Sequence, residues 1–258
     1  MSTIVITGAS KGIGKATAAR FVANGDRVIN ISRSPSDIQG IENVPIDLAG
    51  PGAIDSVDDL VNNLPFDDIH LIHNAARLVN DSIRDVDAES FKAIININII
   101  APQILNQAIL PKMAEGSSII YIGSTLSEKA VANSYSYVST KHAMVGMMRA
   151  TCQDLAGSGI HTACICPGFT DTEMLRAHVG DSNEVLAEIG SMSSYGRLIE
   201  PAEIARTIEF ATANPVINGS IIHARFEDGN RVFRSSSEKI AAVSVSRKMF
   251  SGREEITL

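Results

Sequence analysis

The chain has 258 residues, 45% hydrophobic and 20% charged, so it is long enough to bury a large core and too apolar to be a disordered segment. Its formal net charge of -7 argues against nucleic acid or an anionic membrane as partner, because both need a basic face.

Strand and helix patterns alternate from the first residue. Short apolar runs at 3–7, 27–32, 44–47, 69–73, 118–122, 161–165 and 220–224 read as strands. Between them, 13–23 has apolar spacing suited to a helix on a sheet, and the turn Asn24-Gly25-Asp26 follows it. A helix is expected over 53–64, opened by Pro51 and closed by Pro65. A long one is expected over 88–113, kinked or broken by Pro102. A further helix over 137–155 ends at Gly157-Ser158-Gly159, and Pro201 opens another that runs to 213. Residues 167–188 read as loop and helix. No apolar run approaches the ~20 residues of a membrane span. Strands alternating with such helices imply an α/β fold, a doubly wound parallel sheet of about seven strands covered on both faces. Nothing divides the chain before about residue 228, so 1–228 reads as one domain and 229–258 as a C-terminal extension.

Cys152, Cys164 and Cys166 cannot all pair within the chain, and Met1-Ser2-Thr3-Ile4-Val5 lacks the pattern of a signal peptide. Reduced thiols in a cytoplasmic protein are expected, with no metal site.

The loop Thr7-Gly8-Ala9-Ser10-Lys11-Gly12-Ile13-Gly14 joins the first strand to the first helix. Glycine there permits a tight turn and close backbone approach to a pyrophosphate, and the helix N-terminus offers it free N–H groups. A dinucleotide site is therefore expected. NAD sites commonly carry an acid after the second strand to hold the ribose 2′-hydroxyl. Here that strand ends Ile31-Ser32-Arg33-Ser34, with no Asp or Glu from Arg27 to Ser36. Arg33 and Lys11 are instead suited to a 2′-phosphate, which favours NADP(H).

Ser124 stands at the end of the fifth strand, and Tyr135, Tyr137 and Lys141 near the start of the next helix. Tyr137 lies four residues before Lys141, on one helix face; Tyr135 lies six before it and turns away, a candidate wall of the substrate site. An ammonium beside a phenol favours the phenolate, so Lys141 is expected to lower the pKa of Tyr137.

The spacing Gly-x-x-x-Gly-x-Gly at Gly8, Gly12 and Gly14 resembles that of the short-chain dehydrogenase/reductase family, whose other signatures follow in order. These are Asn74-Ala75-Ala76, Asn98, Ser124, Tyr137-Val138-Ser139-Thr140-Lys141 and Pro167-Gly168-Phe169-Thr170-Asp171-Thr172, over about residues 2–228. The resemblance implies a Rossmann fold and carbonyl reduction. Tyr137 would be the general acid, Lys141 would hold the nicotinamide ribose, Ser124 would orient the carbonyl, and Asn98 would hold a water in a proton relay. It also implies a cofactor lying against Gly8, Ser10, Lys11, Gly12, Ile13, Gly14, Ser32, Arg33, Asp47, Leu48, Asn74, Ala75, Ala76, Pro167, Gly168, Phe169, Thr170 and Thr172, besides Tyr137 and Lys141. A homodimer or homotetramer packed through the helices at 88–113 and 137–155 is implied too.

Two places depart from the family pattern. Ala76 stands where glycine is usual, and the usual Asp-Gly-Gly is replaced around Phe226-Glu227-Asp228-Gly229-Asn230. His73 reads as a core histidine and His142 as one pointing away from Lys141, whereas His178 is a candidate substrate contact. The substrate is expected under 170–196, framed by 77–84 and 125–134. Leu126, Val131, Phe169, Met174, Leu175, Val179, Leu186, Ile189 and Met192 there favour a fairly apolar ketone or aldehyde. Arg77, Arg84 and Arg176 are candidates to receive an acidic group. The alternatives are an alcohol dehydrogenase working oxidatively, a 3-oxoacyl-thioester reductase, and a cofactor-binding regulator without turnover.

Overall fold

In the computed structural model, residues 1–50 and 53–226 are described. Five strands are apolar runs buried along their length: β1 (Thr3–Thr7), β4 (Ile69–His73), β5 (Ser118–Ile122) and β6 (His161–Pro167) completely, and β2 (Arg27–Ser32) except at its ends. β3 (Ile41–Pro45) and β7 (Ser220–Ala224) form the edges. All pair in parallel in the order β3-β2-β1-β4-β5-β6-β7. Burial on both faces is why the central strands read as continuous apolar runs rather than alternating ones.

The helices α1 (Gly12–Ala23), α2 (Ala53–Asn62), α3 (Ala88–Ile95), α4 (Ala101–Ile109), α5 (Tyr135–Asp154), α6 (Glu173–Val179), α7 (Asn183–Ser191) and α8 (Pro201–Ala213) complete the order. On one face Val5, Ile29, Leu71, Ile119 and Tyr121 pack against Val57, Leu105, Ile109, Met144 and Met148 of α2, α4 and α5. On the other, Ile4, Ile6, Ile72, Ile120 and Ile165 meet Ala18 and Phe21 of α1 and Ile204, Ile208 and Ala211 of α8. The chain reverses its direction of strand addition between β1 and β4, which opens a crevice beyond their C-terminal ends.

Several boundaries differ from expectation. β3 covers Ile41–Pro45 rather than 44–47, because an edge strand with half-exposed residues leaves no apolar run. Ile46 and Leu48 leave the sheet and turn, buried, toward the crevice. The disturbance in the long helix lies upstream of Pro102, as a π-helical segment at Asn96–Ile100. Pro102 has no N–H to give the carbonyl of Asn98, so the backbone widens there instead of kinking at the proline. The run Ala88–Lys112 is, contrary to expectation, long and apolar enough by length and composition to cross a membrane. Its buried residues Ile94, Ala101, Leu105 and Ile109 lie in the protein core. α5 begins two residues early, at Tyr135. Pro51, the pattern at 227–230 and the 229–258 extension lie outside the described residues.

Candidate active site

A cleft of about 1030 Å³ runs from the β1–α1 loop to the α6–α7 region. Twenty of the sequence-predicted site residues line it: Gly8, Ser10, Lys11, Gly12, Ile13, Ser32, Arg33, Asp47, Leu48, Asn74, Ala75, Ala76, Pro167, Gly168, Phe169, Thr170 and Thr172, and with them Ser124, Tyr137 and Lys141. Gly14 and Asn98 do not line it.

The glycine loop shows why its residues are what they are. Gly8 and Gly12 hold φ of +72° and +53°, a region that side chains disfavour. Gly14 acts from behind: a Cβ there would overlap the Gly8 carbonyl and the Asn74 amide. The Asn74 amide donates to the carbonyls of Thr7 at 2.9 Å and Gly8 at 3.1 Å, so it pins the loop to the end of β4. Thr7 Oγ1 accepts from the N–H groups of Asn74 and Ala75, both at 2.9 Å. Lys11 is the N-cap of α1 yet makes no side-chain cap, and the first turn carries no acid. That helix N-terminus therefore faces the cleft with donors that no side chain of its own has claimed, which fits a pyrophosphate. Ala76 is tolerated because no positive φ is required of it; among the described residues Asn133 is the only non-glycine with one.

At the far end of the loop, Ile31, Ser32, Arg33, Ser34, Ile46, Asp47 and Leu48 form a recess. Arg33 and Lys11 are both exposed at its rim. Asp47 Oδ1 accepts from the Ala49 N–H at 3.2 Å.

The reactive groups meet below β5. Ser124 caps the short 3-10 turn Thr125–Ser127, where its Oγ accepts from the Leu126 N–H at 3.0 Å. Its own hydroxyl proton is thereby left to donate, and the Ser124 hydroxyl lies near enough to Tyr137 to favour its phenolate. Gly123 must be glycine, since a Cβ would lie 2.8 Å from the Sγ atoms of both Cys164 and Cys166. Lys141 is buried, with Nζ 5.4 Å from the centre of the Tyr137 ring. It donates to the Ile122 carbonyl at 2.6 Å. Burial lowers Lys141 to about 8 and pushes Tyr137 up to about 12, the nearby Ser124 hydroxyl opposing the latter. Against the expected depression of Tyr137 by Lys141, loss of water around the phenol outweighs its neighbours.

The Asn98 side chain is engaged away from the cleft. Oδ1 accepts from the Arg77 N–H at 2.8 Å, while Nδ2 donates to the Arg77 carbonyl at 3.1 Å and to Thr140 Oγ1 at 3.0 Å. It ties the segment after β4 to α5 and holds no relay position with its amide.

Leu126, Val131, Phe169, Met174, Leu175, Val179, Ile189, Met192 and His178 also line the cleft. Leu186 does not; it is buried in α7. Tyr135 does not; its ring packs 5.9 Å from that of Phe91. Arg77 and Arg84 also lie off the cleft. Arg176 is consumed by Asp171 at 2.8 Å and Asp181 at 2.7 Å. His73 is the core residue expected: its Nε2 is 2.7 Å from Asn106 Oδ1, and burial lowers it to about 4. His142 is exposed. Sequence reasoning missed Gly123, Lys129, Arg197, Arg225 and Phe226. Gly123, directly before Ser124, had a local signal. Phe226, stacked 4.3 Å from Tyr195 and 4.9 Å below the Arg197 guanidinium, is assembled only by the fold.

Comparison with known proteins agrees with this geometry. The chain is 28% identical over 252 residues to the NADPH-dependent aldehyde reductase 2, chloroplastic, of Arabidopsis thaliana, covering 85% of this chain and 91% of that one. A short chain dehydrogenase family protein from Francisella tularensis superposes with a TM-score of 0.81 at 28% identity, over 90% of this chain and 99% of the other. A blue fluorescent protein from a metagenomic library, solved in complex with NADPH, does so with 0.77 at 26% identity, over 87% and 96%. The sequence pattern of the short chain dehydrogenase family matches residues 2–183, and with the seven-stranded Rossmann sheet this shows that the chain belongs to that family, the NAD(P)-dependent oxidoreductases acting on alcohol and carbonyl groups.

Proposed function

We propose that the protein is an NADPH-dependent reductase of a fairly apolar ketone or aldehyde. The observation that carries this reading is the cluster in which Tyr137 stands beside the Lys141 amine and shares with Ser124 the wall of a dinucleotide-sized cleft. When bound, the reduced nicotinamide supplies the hydride. Ser124, whose Oγ already accepts from Leu126, gives a hydrogen bond to the substrate carbonyl oxygen and orients it. Tyr137 stays protonated at neutral pH because burial pushes it up to about 12, so it holds the proton that the forming alkoxide takes. Lys141 spends one donor on the Ile122 carbonyl and keeps two for ribose hydroxyls. Its charge favours the negative charge that develops on the Tyr137 oxygen as the proton leaves. Any relay role of Asn98 falls to its backbone carbonyl, whose ordinary helical donor position is taken by Pro102.

The cofactor preference rests on Arg33 and Lys11 at the rim of the recess and on the absence of an acid from Arg27 to Ser36. The names of the aldehyde reductase and of the NADPH-bound neighbour support it. The apolar side chains at the other end support the substrate class. The same reading places the enzyme in the cytoplasm as a homodimer or homotetramer, with 1–228 as the catalytic domain and 229–258 as an extension.

The test follows NADPH absorbance against aldehydes, diketones, ketoesters and β-ketoacyl thioesters. Turnover of apolar aldehydes or ketones with NADPH is expected. Turnover with NADH alone, or tight NADPH binding with no turnover of any compound, would contradict the reading.

A further inference from the structure

The two loops that frame the adenosine end are joined by a chain of amides that never reaches the cleft. Asn30, in the middle of β2, is 1% exposed. Its Oδ1 accepts from the Ala9 N–H of the glycine loop at 2.9 Å. Ala9 is completely buried, so without Asn30 that N–H would have no acceptor from water. This fixes the orientation of the Asn30 amide: its Nδ2 must point outward, and it donates to Asn43 Oδ1 of β3 at 2.9 Å. The same Asn43 oxygen accepts from the Ser36 N–H at 2.8 Å, and Asn43 Nδ2 donates to the Ser36 carbonyl at 3.1 Å. Ser36 lies three residues after Arg33 and is the buried anchor of that turn.

Asn43 carries the more heavily used amide on this path. Asn43 Oδ1 takes two donors, and its nitrogen closes a ring with the Ser36 backbone. The exposed Lys15–Asp37 ion pair, at 2.7 Å, is a second tie across the same gap, but exposed pairs hold little. Neither Asn30 nor Asn43 lines the cleft.

We infer that Asn30 and Asn43 are positioning residues for dinucleotide selectivity. They set the distance between the loop that receives the pyrophosphate and the turn that presents Arg33. A guanidinium must meet a phosphate within hydrogen-bond reach, whereas a 2′-hydroxyl makes no comparable demand on Arg33. Loosening the relay therefore penalises NADP(H) selectively. The inference rests on the NADPH reading, and its test separates the two.

NADPH and NADH are titrated, by nicotinamide fluorescence, into the full chain as wild type, Arg33→Ala, Asn43→Ala and the double variant. Asn43 is exposed on an edge strand, so the fold tolerates its loss, and unchanged NADH binding reports an intact site. The wild type should favour NADPH, and Arg33→Ala should remove that preference. Asn43→Ala should reduce the preference about fivefold through NADPH alone, with no further effect in the Arg33→Ala background. A wild type without preference would overturn the NADPH reading and the selectivity inference together. A wild type that prefers NADPH, with an Asn43→Ala ratio unchanged or both affinities falling equally, would overturn the relay and leave the NADPH reading standing.

Discussion

Asp81 closes the N-terminal end of the helix that carries Tyr137 and Lys141, by accepting from the Ser136 backbone N–H at 3.0 Å and from the Ser136 hydroxyl. Its own backbone adds two bonds, to the Asn133 carbonyl at 3.2 Å and from the Tyr135 N–H at 3.2 Å. Ser134, the nominal N-cap, makes no side-chain cap, so a residue more than fifty positions earlier supplies it. The clamp also holds Asn133 in its left-handed conformation, φ 58°, just before α5. It orients the first turn of α5 and with it the phenol.

Asp81→Ala should accordingly cost about 1–2 kcal/mol of stability, as helix-cap deletions do. It should also lower kcat about tenfold or more by misplacing Tyr137, while NADPH binding changes little. Asp81→Asn, which keeps one acceptor, should fall between. Denaturant melts and steady-state kinetics check this; an Asp81→Ala enzyme equal to wild type in both would remove Asp81 from the account.

Lys141 supplies a pH dependence. Burial lowers its ammonium from 10.5 to about 8, so the charged form is present below about pH 8 and is lost as pH rises through that value. The kcat/KM for NADPH, which reports free-enzyme ionisations, should decline above about pH 8. A profile flat to pH 10 would show that Lys141 keeps its proton in the free enzyme.

His73 makes a prediction about acid stability. Its folded value of about 4 lies below the ordinary 6.5, so below pH 6.5 the unfolded chain takes up a proton that the folded chain refuses. Stability is present in full above 6.5 and is lost as pH falls toward 4. The loss between pH 7.5 and pH 5 should be about 2 kcal/mol from this group. In His73→Asn that part of the loss should vanish in urea melts at the two pH values. An unchanged loss would place the acid sensitivity elsewhere.

The central strands and the reactive trio were legible because their signals are local. β1, β4 and β5 are buried on both faces and announce themselves as apolar runs. Tyr137 and Lys141 share a helix face by spacing alone. The edge strand β3 was misplaced because half its side chains meet solvent. Asp81 and the Asn30–Asn43 relay were not legible, since a lone Asp or Asn has no periodicity and its partner is chosen by the fold. Arg176 is a different case. The sequence offers it as a candidate to receive an acidic group, yet Asp171 and Asp181, each five residues away, take its guanidinium.

The most direct test of the proposed chemistry compares wild type with Tyr137→Phe for NADPH binding and for carbonyl-dependent NADPH oxidation. Phenylalanine fills the same buried space, so NADPH affinity should stay within about threefold. The rate of reduction should fall by about 10²-fold or more, because the group that delivers the proton is gone. A Tyr137→Phe protein that reduces the carbonyl at the wild-type rate would contradict the assignment of Tyr137 as the acid.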